Sequence, residues 1–336
     1  MLPSRLRLRL RLRLRLRALQ GRISPPWFVL LLFGAVLASL LLLFHRRANF
    51  HHGSVILASI MMLGFALSAL VGQLRRPREG GLAGALRESW RLIADWLPFV
   101  FCLSVYENLH DLTQLIRPDT VDGALQALDI RLFGVEPTLW LQPLARPWLT
   151  NFLALCYVSY FVIPPLLAGW LYRRGHEEHF KELQLMLLIA FYGGFLGYLA
   201  VPAIGPRYLL ASQFTVPLTG ALYQLTDGAM NQLEAVSRDC FPSLHTAVST
   251  LWLLYAVRHR ALLPARRVVL PLLAFVTFSL WFSTVYLRYH WTIDVLAGFV
   301  HAALTFALGS WMHRRWPRRK GLPAARRVVE STSDAA

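Results

Sequence analysis

The sequence has few charged residues, few acidic side chains and few cysteines for its length. Of its 336 residues 16% are charged, against roughly 25% in soluble globular proteins, and 56% are hydrophobic. This composition excludes a disordered chain, a coiled coil and an ordinary soluble enzyme, and the mean hydropathy of +0.45 favours an integral membrane protein. The three cysteines form neither a disulfide framework nor a zinc-binding spacing.

Basic residues outnumber acidic ones, 35 to 18, which gives a formal net charge of +17. In a soluble protein this excess would indicate nucleic-acid binding. Here the basic residues fall in short runs between long apolar stretches, a pattern that orients helices in a membrane. We therefore expect a lipid bilayer around the protein and no nucleic-acid partner.

Eight apolar runs are predicted to be transmembrane helices, because most reach the roughly 20 residues that a spanning helix needs. No small-residue cleavage site follows the first run, so it is predicted to be a retained span rather than a signal peptide. The eight predicted spans are 27–44, 55–74, 92–109, 149–172, 183–204, 242–257, 268–287 and 291–311.

The distribution of charge predicts the topology. With the N-terminus in the cytoplasm, the cytoplasmic segments hold most of the 35 Lys and Arg residues, as the positive-inside rule requires. Both termini are then cytoplasmic, and we expect a bacterial inner membrane. The long outer connections are 111–148 and 205–241, and the stretch 123–133 is predicted to lie in the membrane interface.

Three polar motifs fall on the outer face in this topology, although they were not used to choose it. Their positions are 205–208 (Gly-Pro-Arg-Tyr), 240–246 (Cys-Phe-Pro-Ser-Leu-His-Thr) and 286–294 (Tyr-Leu-Arg-Tyr-His-Trp-Thr-Ile-Asp). Their shared location predicts one site.

His290 and Asp294 are four residues apart, a spacing that places both on one face of a helix. A carboxylate there accepts one ring N–H of the imidazole and leaves the other nitrogen free to attack an electrophile. Taken alone, such a pair is more often a satisfied interfacial His–Asp contact.

Phosphate chemistry is indicated by the neighbours of this pair. Ser243 is predicted to start a helix whose free N–H groups bind an anion, and His245 on its first turn is placed to protonate a leaving oxygen. Arg207 and Arg288 match phosphate oxygens. Together the residues predict phosphoryl transfer through a phosphohistidine, with no metal and no cofactor.

The motifs resemble those of the type 2 phosphatidic acid phosphatase superfamily, whose signatures are Lys-x6-Arg-Pro, Pro-Ser-Gly-His and Ser-Arg-x5-His-x3-Asp. The second is met at 242–245 with Leu244 in place of Gly, and the third is met at Ser283, His290 and Asp294. Of the first signature, only the Arg is met, at Arg207. The forms at 241–245 and 283–294 are similar to those of the inositol phosphorylceramide synthase branch.

This resemblance implies an all-α membrane bundle of about eight helices with a six-helix phosphatase-like core. It divides the chain into an Arg/Leu-rich tail (1–25), two extra helices (26–89), a catalytic domain (90–313) and a basic tail (314–336). It implies a lipid phosphotransferase, or else a lipid phosphate or polyprenyl diphosphate phosphatase, with catalysis by His290, His245 and Asp294.

Two further groups of residues leave alternatives open. Glu107 and Asp111 are predicted to hydrogen-bond the hydroxyls of an acceptor, or with Asp95 to form the proton relay of a transporter. The run 176–179 (His-Glu-Glu-His) resembles a zinc-protease motif but lacks the His-Glu-x-x-His spacing, so a solvated cytoplasmic loop is predicted there.

Overall fold

The structure, a computed structural model, describes residues 23–44, 94–102, 105–106, 109–233 and 238–316. In these ranges the chain is almost wholly helical, and an isolated bridge between Ala203 and Asp239 is the only strand-like pairing there. The predicted span at 55–74, Glu107 and most of both predicted tails lie outside the described residues.

The helices follow one another through short connections. Residues 94–102 and 105–106, within the predicted span 92–109, are helical as well. In chain order the helices are α1 (Pro25–Phe44), α2 (Leu109–Ile116), α3 (Asp122–Phe133), α4 (Pro137–Trp140), α5 (Pro147–Arg173), α6 (Glu177–Ala200), α7 (Pro206–Leu209), α8 (Ala221–Leu233), α9 (Leu244–Arg258), α10 (Arg266–Tyr286) and α11 (Thr292–Arg315).

Four of these helices, α5, α6, α10 and α11, are long and apolar enough to cross a bilayer. They confirm the prediction of an all-α membrane helix bundle. The shorter α9 lies at the centre and packs against all four of them. Two interhelical hydrogen bonds fix its rotation, from Trp252 Nε1 to Thr277 Oγ1 (2.8 Å) and from Trp281 Nε1 to Ser249 Oγ (2.9 Å).

Helix α6 begins earlier than the predicted span 183–204. It starts at Glu177, so the run 176–179 is the N-cap residue and first turn of a helix. The prediction of a solvated loop is therefore wrong. The physical reason is that Glu177 and Glu178 in the first turn interact favourably with the positive end of the helix dipole.

Helix α3 contains the stretch 123–133 that the sequence analysis predicts to lie in the membrane interface. Its buried face carries Asp122 and Asp129. The Asp129 carboxylate accepts hydrogen bonds from the backbone N–H groups of Thr292 and Ile293, both at 2.7 Å, at the start of α11. Burial raises the pKa of Asp129 and these bonds oppose the rise. Helix α3 thus fastens the outer loops to the bundle.

Candidate active site

The start of α9 positions His245. Ser243 is the N-cap residue, and its Oγ accepts a hydrogen bond from the backbone N–H of Thr246 at 3.3 Å. Ser243 is fully buried, and it is not among the residues that line the cavity described below. The structure therefore gives this predicted phosphate ligand the place of a helix cap, which fixes the first turn that carries His245.

His290 and Asp294 are not on one helix face, because α11 begins at Thr292 and His290 precedes it. The prediction of a shared face is wrong. The two side chains approach because the Asp294 carboxylate accepts a hydrogen bond from the backbone N–H of Trp291 (2.9 Å), which folds the chain back at the helix start. His290 Nδ1 then lies 3.7 Å from Asp294 Oδ2.

The closer partner of the His290 ring is a backbone carbonyl. Nδ1 lies 2.9 Å from the carbonyl oxygen of Cys240, and since a carbonyl only accepts, this bond requires the proton on Nδ1. The Cys240 thiol donates to Asp294 Oδ2 at 2.8 Å. Burial, and then the Asp294 charge, raise the pKa of this thiol well above its ordinary value, so it remains a donor.

The other nitrogen of His290 faces the second histidine. His290 Nε2 lies 3.5 Å from His245 Nδ1, and both rings are buried. The His245 ring is held between Tyr157 and Tyr160, each with a ring centroid 4.1 Å away. The structure therefore brings together all three residues predicted to be catalytic: His290, His245 and Asp294.

Arg207 is paired with an acidic residue that the sequence analysis did not single out. Its guanidinium contacts the Asp227 carboxylate through two nitrogens, at 2.9 and 3.1 Å. The Tyr289 hydroxyl also donates to Asp227, at 2.7 Å. Burial opposes the charge of Arg207, but Tyr289 and Asp227 outweigh it and raise its pKa. Arg207 thus remains charged.

Arg288 is directed elsewhere. Its guanidinium donates to the carbonyl oxygen of Val216 and lies 3.9 Å from the centroid of the Phe214 ring. Arg288 is not among the residues lining the cavity, so the structure does not bring this predicted phosphate ligand to the histidines. Its backbone carbonyl accepts instead from the N–H of Arg207, at 2.9 Å, and so supports α7.

A cavity of about 360 Å³ adjoins the two histidines. Arg207, His245, His290 and Tyr289 contribute its polar lining near the histidines. Most of the remaining wall is aromatic or aliphatic, and it includes Trp96, Phe99, Val100, Tyr160, Phe161, Pro164, Pro165, Phe191 and Phe195. An apolar chamber with a few convergent polar groups is typical of a site for an amphipathic ligand.

Several site residues were missed by the sequence analysis. Asp239 lines the cavity and accepts from the Tyr106 hydroxyl at 2.6 Å, and burial raises its pKa. Asp239 directly precedes the motif 240–246 that contains His245, and this position was the available signal. Asp227 and Tyr157 carried none, because both lie in other segments.

Of the remaining predicted acceptor and relay residues, only Asp95 has described contacts, and these lie away from the histidines. Asp111 lies in α2, whereas Glu107 is outside the described residues. The Asp95 carboxylate accepts from the Tyr172 hydroxyl at 3.4 Å, and Gln184 donates to its backbone carbonyl. Tyr172 is near the end of α5 and Gln184 near the start of α6, away from His245.

The fold and the site define a helical integral membrane protein whose buried histidines meet at the polar end of an apolar chamber. A family model described as the PAP2 superfamily matches residues 124–308, more than half of the chain. The chain belongs to the PAP2 superfamily. The matched range includes Arg207, His245, His290 and Asp294. Comparisons with curated proteins and with solved structures find no match.

Membership of this superfamily supports a lipid phosphatase or phosphotransferase type of function. It also supports a lipid substrate met in the bilayer, in agreement with the four spanning helices.

Proposed function

We propose that this protein is a membrane phosphotransferase that moves a phospho-headgroup between lipids through a phosphohistidine, in the manner of inositol phosphorylceramide synthases. The observation that carries the proposal is the approach of His290 Nε2 to His245 Nδ1, at 3.5 Å, beside an aromatic-lined chamber. Hydrolysis of a lipid phosphate or polyprenyl diphosphate is the alternative, and it begins with the same step.

The first step is attack by His290. Because Nδ1 donates its proton to the Cys240 carbonyl, the lone pair of Nε2 is available to phosphorus. The N–P bond forms as the bond from phosphorus to the leaving oxygen breaks, and the electron pair of that bond goes to the oxygen. A proton from His245 neutralises the leaving oxygen. The Asp294 carboxylate stabilises the positive charge on the imidazole ring of His290.

The second step regenerates the enzyme. His245, now without its proton, accepts the proton of an alcohol or of water, and the resulting oxygen attacks phosphorus. The N–P bond breaks and its electron pair returns to Nε2 of His290. An alcohol acceptor gives a new phospholipid, whereas water releases the phosphate that His290 carries, as headgroup phosphate from a phosphodiester donor or as inorganic phosphate from a lipid phosphate. Glu107 and Asp111 are proposed to bind the hydroxyls of an alcohol acceptor.

Arg207 supplies fixed positive charge for the phosphate. Its side chain lines the chamber and is partly accessible, with 23% of its area exposed. In the first step a phosphate bound at the histidines replaces the Asp227 carboxylate as the partner of the Arg207 guanidinium. The replacement is possible because both anions fit the same bidentate geometry. The positive charge then lies where negative charge develops in the transition state.

The chamber supports a lipid donor rather than a free sugar phosphate. Apolar and aromatic side chains form most of its wall, and burying the first part of an acyl or prenyl chain there is favoured by the hydrophobic effect. His245 lies at the start of α9 and His290 just before α11, and the charge distribution assigns both of these helix ends to the outer side, which supports an extracytoplasmic site.

The test uses purified wild-type protein and His290→Ala in detergent–lipid micelles with EDTA. His176→Ala is the matched control, since His176 lies at the opposite end of the bundle. Each receives labelled phospholipids with and without inositol, glycerol or ceramide, and chromatography separates free phosphate from new lipid. New phospholipid from wild type and the control alone supports the transferase. Free phosphate alone supports the phosphatase, and equal turnover by His290→Ala overturns both.

A further inference from the structure

A second cluster of ionisable side chains lies at the end of the bundle opposite to the histidine pair. His179 and Glu182 belong to the first turns of α6, and His259 is the residue that ends α9. Since α9 rises about 1.5 Å per residue along its length, this cluster is on the order of 20 Å from His245. The reaction proposed above does not use it.

The geometry of the cluster suits a metal ion. Glu182 Oε2 lies 3.0 Å from His259 Nε2 and 3.9 Å from His179 Nδ1. The three ligand atoms all lie within 4.8 Å of one another. Ligand atoms around a tetrahedral zinc ion are about 3.3 Å apart, because the bonds are about 2.0–2.1 Å long. Small side-chain shifts therefore bring all three atoms to bonding distance.

The ligand atoms are held in place by their surroundings. The Glu182 side chain is only 4% exposed. Its second carboxylate oxygen, Oε1, lies 3.5 Å from Arg258 Nη1. Because Oε1 faces Arg258, the other oxygen, Oε2, is directed at the two histidines. The Tyr255 hydroxyl donates to the backbone carbonyl of His179 at 2.8 Å, which fixes one ligand relative to α9.

The buried atoms of the cluster also lack hydrogen bonds that would satisfy them. Among the described residues, neither Glu182 Oε1 nor His259 Nε2 makes a hydrogen bond of good geometry, although both are buried. Their ion-pair contacts are 3.5 Å from Glu182 Oε1 to Arg258 Nη1 and 3.0 Å from His259 Nε2 to Glu182 Oε2. A buried polar atom left in this state is costly, and a metal ion satisfies the imidazole nitrogen directly.

We propose that His179, Glu182 and His259 bind one divalent transition-metal ion of the zinc class. Two imidazoles and a carboxylate are typical zinc ligands. A water completes the coordination. The His179 side chain is 36% exposed, so the ion enters from the solvent at this face.

The bound ion joins the ends of two helices. α6 and α9 provide the three ligands, and both pack against α11, which carries Asp294. An ion that binds only the folded protein raises its stability. The proposal does not rest on the proposed reaction, because no ligand of this site touches the chamber.

The test measures metal content and thermal stability of the full chain in detergent. After removal of metal with EDTA and dialysis, Zn²⁺ is added and the bound metal is counted, and Co²⁺ is added separately to record the visible absorption of a tetrahedral complex. We expect one ion per chain and a raised Tm. Glu182→Gln should weaken Zn²⁺ binding at least about 10-fold, and the exposed Glu178→Gln is the matched control.

Two further variants keep the result decisive. His179→Ala, at a partly exposed position, removes a ligand even where Glu182→Gln fails to fold, and His176→Ala controls for the loss of a nearby histidine. Absence of stoichiometric binding by wild type overturns the proposal. So does binding that survives in His179→Ala, or that is lost only in His290→Ala, since the latter places the ion at Cys240, His290 and Asp294.

Discussion

His290 Nε2 and His245 Nδ1 lie 3.5 Å apart although 45 residues separate them in the chain. One ring precedes α11 and the other lies in the first turn of α9. Their approach places two ring nitrogens, which we propose exchange protons or bind phosphorus, at one end of an apolar chamber. The proposed phosphoryl transfer depends on this short distance between the two histidines, and the first prediction concerns their replacement.

Replacing either histidine should stop turnover. We expect His290→Ala and His245→Ala each to lower kcat by on the order of 10³-fold or more, and the double variant to lose little beyond the worse single one, because the residues act as a unit. Radiolabelled headgroup release from lipid micelles measures the rate, with Tm confirming the fold. Additive losses in the double variant would contradict a shared step.

Asp294→Asn should leave the fold intact and lower kcat on the order of 10²–10⁴-fold, since the carboxylate charge near the His290 ring is lost. The amide oxygen still accepts from the Trp291 N–H, so the start of α11 is retained. Steady-state kinetics should show an unchanged KM. An unaltered kcat would mean that the Cys240 carbonyl alone orients His290.

The Cys240 thiol is predicted to position Asp294 by donating to its carboxylate. Cys240→Ser keeps a donor and should retain more activity than Cys240→Ala, with the difference in kcat and not in KM. The raised pKa of the thiol and its burial also predict slow alkylation by iodoacetamide at pH 8 in the folded protein. Rapid alkylation there, or equal kcat in the two variants, would contradict this role.

The two arginines should differ. Arg207→Ala removes a charge that lines the chamber, and we expect kcat/KM to fall by about 10–100-fold, as for a lost charge-assisted hydrogen bond. Arg288→Ala loses contacts with Val216 and Phe214, so it should lower Tm with a smaller effect on kcat/KM. The reverse order of effects would assign phosphate binding to Arg288.

Gly205 is required at a tight approach of two loops. It has φ +83°, and a Cβ there would lie 2.6 Å from the carbonyl oxygen of Tyr289. Gly205→Ala should therefore cost backbone strain of about 1–3 kcal/mol plus the clash, because ψ of 167° places Gly205 in a region that essentially only glycine adopts. Gly134→Ala is the matched control, because Gly134 has φ +73° with open space around it. Thermal unfolding should show a clearly larger loss for Gly205→Ala, and equal losses would exclude the clash.

Much of the fold was predictable because hydropathy and charge act locally. The structure places α10 and α11 within a few residues of the predicted spans, since a bilayer requires about 20 apolar residues whatever their neighbours. The capping of α9 by Ser243 also follows from local chemistry. The start of α6 was missed because its first turn is polar, and hydropathy alone does not detect a helix that extends beyond the apolar run.

The sequence by itself determined the class of protein and singled out the residues proposed to carry its chemistry, since His245, His290 and Asp294 stand out by type and order. Only the tertiary structure decided their partners. The Cys240 carbonyl on His290, Asp227 on Arg207, and the turning of Arg288 toward Val216 join segments 20 to 72 residues apart. Such contacts depend on how whole helices pack, because a side chain's direction follows from its helix's rotation and from the loops that neighbouring helices hold in place.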